Sequence, residues 1–245
     1  SCSLVGSEMC IRDSPITGEL FSIPSLDMGG YADLRFILRE GGSMGDLYSR
    51  TDLRRDANGA IYMDESNNVY TQKIDNPDSY IKLGSVLPKG NLAWRNNFMW
   101  KNFHVGFMIS ARLGGVVFSR TQAVLDKFGV SEASADARDN GFVLINGNDR
   151  INPENWYTTV GSTAVPQYYT YSATNVRLQE ASIGYTIPRK WLANICDIKV
   201  SLIGRNLWMI YNKAPFDPEA VASTDNFYQG IDNFMMPSLL SLIHI

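Results

Sequence analysis

The sequence predicts an all-β fold built from membrane-type antiparallel barrel strands, and three observations carry that prediction. Residues 91–113 hold two runs, each about ten residues long, with period-two alternation of apolar and polar side chains on either side of a tight turn. No stretch is apolar for long enough to form a transmembrane helix, yet that leaves a barrel open, because the signal of each barrel strand is weak. Twelve Tyr, eleven Phe and five Trp, with 20 Gly, favour strands joined by many turns.

Length and charge narrow the class further. The 245 residues, 44% of them hydrophobic and 19% charged, suffice for one large core or two small ones. A formal net charge of −3 gives no electrostatic footprint for nucleic acid, so no nucleic-acid partner is expected.

Taken in order, the chain opens on SCSLVGSEMCIRDS, residues 1–14, and closes on SLLSLIHI, residues 238–245. Both resemble translated sequencing-adapter read-through and are expected to be foreign to the fold. That leaves Cys196 as the one cysteine outside those ends, so no disulfide framework or thiolate metal site is expected. From residue 27 to 40, DMGGYADLRFILRE suggests one strand entered through Gly29 and Gly30, and MGDLYSR (44–50) a short second strand. An Asn58-Gly59 pair inside DANGAIYMD (56–64) signals a turn, and DNPDS (75–79) a loop.

The hairpin follows. Leu92, Trp94, Phe98 and Trp100 share one face of its first arm, with Ala93, Arg95, Asn97 and Met99 opposite. In the second arm Phe103, Val105, Phe107, Ile109, Ala111 and Leu113 oppose His104, Gly106, Ser110 and Arg112. Each arm has the roughly 9 to 11 residues that a tilted strand needs to cross a bilayer. Trp100 and Phe103 flank the turn, where an interfacial aromatic girdle belongs. Arg95, Asn97, His104 and Arg112 are the lumen-facing candidates, because those side chains suit a wet interior better than a dry core.

Beyond the hairpin, GGVVFSRTQAVLDKFG (114–129) predicts a short amphipathic helix ending at Gly129, with Val117, Thr121, Val124, Leu125 and Phe128 on its apolar side. Residues 129–170 lack sustained periodicity and predict a long outer loop. Within or beside it, Trp156, Tyr157, Tyr168, Tyr169 and Tyr171 are the candidate ligand-contacting aromatics, able to stack on sugar rings or to anchor the loop. Residues 175–187 change apolar phase, which implies a bulge near Glu180. Pro188 ends that strand and PRKWLAN (188–194) turns into Ile198–Tyr211, where Ile198, Val200 and Leu202 oppose Lys199 and Ser201. Residues 212–237 form a second polar loop.

Chemistry is sparse. His104 and His244 are the only histidines, no Ser-His-Asp or Cys-His arrangement can be assembled, and GGSMGD (41–46) lacks the lysine of a phosphate loop. FDPEA (216–220), with Asp225 and Asp232, offers oxygen ligands without EF-hand spacing. No enzyme, catalytic residue, metal or cofactor is expected.

Three stretches resemble SusC/RagA-type TonB-dependent outer-membrane transporters. LPKGNLAWRNNFMWKNFHVGFMISARLGG (87–115) is similar to that family's Pro-Lys, aromatic-hairpin and Arg-x-Gly-Gly tract. VRLQEASIGYTIPRKWL (176–192) resembles its Arg-Leu, Gly-Tyr-x-x-Pro strand, and IKVSLIGRNLWMIYNKAPFDPEA (198–220) its Gly-x-Asn-Leu strand with a Phe-Asp-Pro-Glu loop. The resemblance implies that residues 15–237 are C-terminal strands of a barrel of about 22 strands with a plugged lumen. It further implies long extracellular loops, a Gram-negative outer-membrane location, and uptake of glycans or similar nutrients. The expected partners are a SusD-like surface lipoprotein, the TonB complex acting through a plug, outer-membrane lipid, and an oligosaccharide or peptide substrate. The family's plug is expected upstream, and its last strand, ending in an aromatic residue, is replaced after Ser238 by LLSLIHI. Two alternatives are a passive outer-membrane porin and a secreted β-sandwich that binds carbohydrate.

Overall fold

A computed structural model describes residues 11–13, 20–22, 25–161, 165–188, 198–219, 228–234 and 241–244. Cys2, Cys10, Cys196, Asp225 and most of the 188–194 turn lie outside the described residues, as does the His244 side chain. The stretch read as one barrel segment divides into two compact units. One comprises residues 1–87, 116–171 and 221–235, and the other residues 88–115, 172–220 and 236–245.

The first unit holds a four-stranded antiparallel sheet in the order Ser25–Tyr31, Leu34–Arg39, Asp46–Ser49, Ile81–Ser85. Residues 27–40 thus make a hairpin rather than the single strand expected, with Ala32 at φ 52° in its turn. Gly30, at φ +151°, is required there because a Cβ would collide with the Leu34 carbonyl oxygen. The expected strand at 44–50 forms as Asp46–Ser49, and DNPDS closes as a single turn over Pro77–Ser79, capped by Asn76.

The helix predicted over 114–129 begins later, at Arg120, and runs to Lys127. Ser119 is its N-cap, accepting from the Gln122 N–H at 3.1 Å and donating to Asp232 Oδ2 at 2.8 Å. Val116–Ser119 is a strand instead, paired in parallel through Phe118 and Ile231, so Val117 is buried from a strand and Phe128 stands exposed.

Residues 129–170 are far more ordered than the loop expected. They fold into the helices Glu132–Asn140 and Pro153–Val160, with a small hairpin of Val143–Ile145 and Asp149–Ile151 between them. The signals are local: Ser131 and Asn152 are N-caps, Pro153 takes the first helical turn, and Gly141 ends its helix at φ +79°. Helices of eight and nine residues are too short to show a sustained period. Their apolar residues complete a core in which Leu34, Phe36, Leu47 and Phe118 pack with Ile145, Ile151, Trp156, Val160, Val165 and Tyr169.

The second unit is a five-stranded antiparallel sheet. Its order runs Ser241–His244, Ile198–Asn212, Asn175–Ile187, Phe103–Leu113, Gly90–Trp100. The predicted hairpin forms with Phe103 opposite Trp100 and Lys101 at φ 52° in the turn. The expected bulge falls at Gln179: the register steps from Leu178 to Glu180 against both neighbouring strands, which returns the apolar residues on either side of it to one face.

Candidate functional site

The site is the pair of faces of this sheet, and cross-strand register assigns each residue to one of them. On one face lie the rows Trp100–Phe103–Tyr185–Val200, Phe98–Val105–Ile183–Leu202, and Trp94–Ile109–Leu178–Trp208. Leu92, Trp94, Phe98, Trp100 and Trp208 are all more than half exposed. Trp94 and Phe98 pack on Phe107, at centroid distances of 5.3 and 6.1 Å. Beside the turn Phe103 meets Tyr185 at 4.8 Å, extending the aromatic border that Trp100 begins. The half-buried Asn96 interrupts this face opposite Phe107.

The opposite face carries the charged and most of the polar residues, with Met99, Met108 and Ile203 among them. All four lumen candidates lie on it: Arg95 opposite Met108, Asn97 opposite Gly106, His104 opposite Met99, and Arg112 opposite Asn91. Arg95 reaches Glu180 Oε1 at 3.3 Å, and Arg205 reaches Glu180 Oε2 at 3.4 Å. His104 Nε2 and the Thr186 hydroxyl are 2.9 Å apart. Arg177, also on this face, is 3% exposed and binds Asp217 at 2.7 Å and Glu219 at 3.3 Å. The Asp217 and Glu219 carboxylates of FDPEA therefore bind an arginine side chain and tie the loop to the sheet. Among the described residues no group of three or more His, Cys, Asp or Glu side chains converges as metal ligands would.

The sequence reading missed Glu180, Arg205 and Arg177 as members of this face. Their signal was present in the alternation phase of 175–187 and 198–212, but it reads correctly only once Gln179 is taken out of step.

The loop aromatics belong to the first unit and do not form one platform. Trp156 and Tyr169 are buried at 8% and 3% exposure, so they build the core and, of the two alternatives, anchor the loop rather than contact a ligand. The Tyr169 hydroxyl donates to Asp126 Oδ2 at 3.0 Å, and burial raises its pKa well above the ordinary tyrosine value. Tyr157 donates to the Ala133 carbonyl at 3.2 Å, and burial raises its pKa too. Tyr168 is 40% exposed and stands edge-on to Trp156 at 5.6 Å, while Tyr171 is half-buried.

An uncovered apolar sheet face of this extent marks a surface that meets another protein or a membrane. An eleven-residue strand tilted near 45° spans about 26 Å, close to the roughly 25 Å apolar band of outer-membrane barrels. An exposed apolar face, an aromatic border and an ionic reverse side are the arrangement that a wall segment of an antiparallel β-barrel would have.

Comparison with known proteins agrees. The chain is 26% identical over 178 residues to TonB-dependent receptor P3 of Formosa agariphila, an alignment covering 70% of this chain and 16% of that protein. Its fold matches a chain of the RagAB peptide importer in the closed-closed state, with TM-score 0.51 and 18% identity over 87% of this chain and 24% of that one. The open-open state of that importer gives the same TM-score at 16% identity, over 96% of this chain and 23% of that one. No protein-family profile matches the chain. It thus spans about a sixth of the curated relative and a quarter of the solved one. The resemblance read from the sequence is supported: the chain is similar in sequence to a TonB-dependent receptor and in fold to part of the RagAB importer, and its large sheets are antiparallel.

Proposed function

We propose that this chain forms part of the wall of an outer-membrane, TonB-dependent importer of oligosaccharides or peptides in a Gram-negative bacterium. The observation that carries the reading is the sheet with two opposed faces: exposed Leu92, Trp94, Phe98, Trp100 and Trp208 on one, and Arg95, Glu180, Arg205 and His104 on the other. A secreted sandwich would cover its apolar face with a second sheet. The short Lys101–Asn102 turn suits the periplasmic rim, and the segments leaving Leu113, Asn175 and Asn212 suit the outer one. In this reading a SusD-like surface lipoprotein hands over the nutrient, and TonB moves the plug to open a path along the ionic face. The residues of this segment bind and guide rather than catalyse.

The test is expression of the intact gene in a host with its TonB system. The expected result is a heat-modifiable protein in the outer-membrane fraction and nutrient uptake that stops when the proton gradient is collapsed. Uptake that survives the uncoupler would point to a passive porin. A monomer that stays soluble without detergent would overturn the barrel.

A further inference from the structure

Within that importer, we propose that the row formed by Arg95, Glu180 and Arg205 is a station for a carboxylate group on the passing nutrient. These residues lie at one level across the sheet, with Arg95 opposite Met108, Met108 opposite Glu180, and Glu180 opposite Arg205. Both guanidiniums lean on one carboxylate, at 3.3 and 3.4 Å. Two positive charges against one negative leave the row with an excess of one. The carboxylate is only 21% exposed, whereas the arginine side chains are 61% and 57% exposed, so the positive charge is the part presented.

Each guanidinium carries five N–H donors in a fixed fork, and the Glu180 contacts leave most of them directed elsewhere. A carboxylate arriving along this face finds two cations spaced by the strands and held in place by Glu180. The adjoining row is neutral and polar: Asn97 Oδ1 and the Ser182 hydroxyl flank Gly106, which is buried and has no side chain to obstruct them. Lys199, three levels nearer the turn than Arg205 and opposite Thr186, continues the positive character. Carboxylate oxygens are planar, paired acceptors that match the arginine fork, whereas an uncharged sugar would pay to desolvate it. A row serving only to tie strands together would balance its charges and bury them.

The proposal rests on the importer reading, and its test keeps the two apart. The full-length transporter, in membranes energised through TonB so that the plug has moved, is titrated with trigalacturonate and with maltotriose. A second pair of probes is a short peptide with a free C-terminus and its amide. Arg95→Gln/Arg205→Gln is expected to weaken binding of at least one carboxylate probe by roughly 10-fold to 100-fold, the range for hydrogen bonds to charged groups. Its neutral counterpart should bind equally to both proteins. Glu180→Gln should strengthen the carboxylate probe and steepen its salt dependence, because it removes the one negative charge. Whether uronate or peptide responds identifies the source of the carboxylate. Unchanged carboxylate binding in both variants, with outer-membrane insertion and energised uptake intact, would overturn the station and leave the importer standing. Should the double variant fail to fold, Glu180→Gln decides alone: no gain in affinity would overturn the station. A protein that never reaches the outer membrane would overturn the importer reading instead.

Discussion

Ala181 and Ser182 are neighbours in sequence that the register sends to opposite faces of the sheet. Ala181 faces the apolar side between Phe107 and Gly204, at mid-height of the hairpin arms, while Ser182 faces the ionic side between Gly106 and Ile203. Ala181→Arg removes almost no packing, so its effect isolates the transfer of a guanidinium into lipid. At the bilayer midplane that costs about 2–4 kcal/mol, falling to about 0–1 kcal/mol near the interfaces. Ser182→Arg adds the same charge to a wet surface whose nearest charges sum to one positive, for a cost of no more than about 1 kcal/mol. The difference between the two variants is therefore roughly 1–4 kcal/mol, or about 5-fold to 900-fold in the folding equilibrium. The assay is urea titration of the full-length transporter in lipid vesicles, read as the heat-modifiable folded fraction on gels. Equal costs at the two positions, or a greater cost at Ser182, would refute the assignment of faces.

Three further outcomes are expected. Asp217→Asn leaves the 3% exposed Arg177 with only Glu219 at 3.3 Å, so the same titration should show a loss approaching the roughly 3–5 kcal/mol typical of a broken buried pair. The double change Arg177→Met/Asp217→Leu should lose less, and a greater loss would contradict the pairing. Tyr169 has its pKa raised by burial, with Asp126 adding to the effect, so its neutral form stabilises the fold fully below the free tyrosine value of about 10. That stability should drain away as pH climbs above this value toward the folded-state pKa, and Tyr169→Phe should shift alkaline unfolding measured by tyrosinate absorbance upward; an unshifted transition would count against it. Arg95→Ala and Arg112→Ala should change single-channel ion selectivity of the plug-deleted full barrel without preventing assembly, and loss of assembly in either would contradict their lumen placement.

How much of this was legible in the sequence depends on the length over which a pattern persists. The hairpin could be read residue by residue, because its arms, Gly90–Trp100 and Phe103–Leu113, repeat a period of two without a break. The phase change across Gln179 was legible as a bulge. What it did to the opposite face was hidden, since Glu180, Arg177 and Arg205 share a surface only after the slip is assigned. Residues 129–170 were opaque for another reason. Their short helices are specified by caps at Ser131 and Asn152 and by Gly141, and those residue types equally mark ordinary loops. The sequence left the aromatics Trp156 and Tyr169 open to stacking on a ligand or anchoring the loop, because their burial is decided by Leu34, Phe36 and Phe118, far away in sequence.

The central claim is that one face of this sheet meets lipid and the other water. Single cysteines placed in turn from Phe103 to Leu113 of the full-length transporter, exposed in intact outer membranes to a charged, membrane-impermeant thiol reagent, test it most directly. The account predicts period-two labelling: His104, Gly106, Met108, Ser110 and Arg112 positions react, and Val105, Phe107, Ile109 and Ala111 positions stay protected. Labelling that is uniform along the strand, or strongest at the apolar positions, would contradict it.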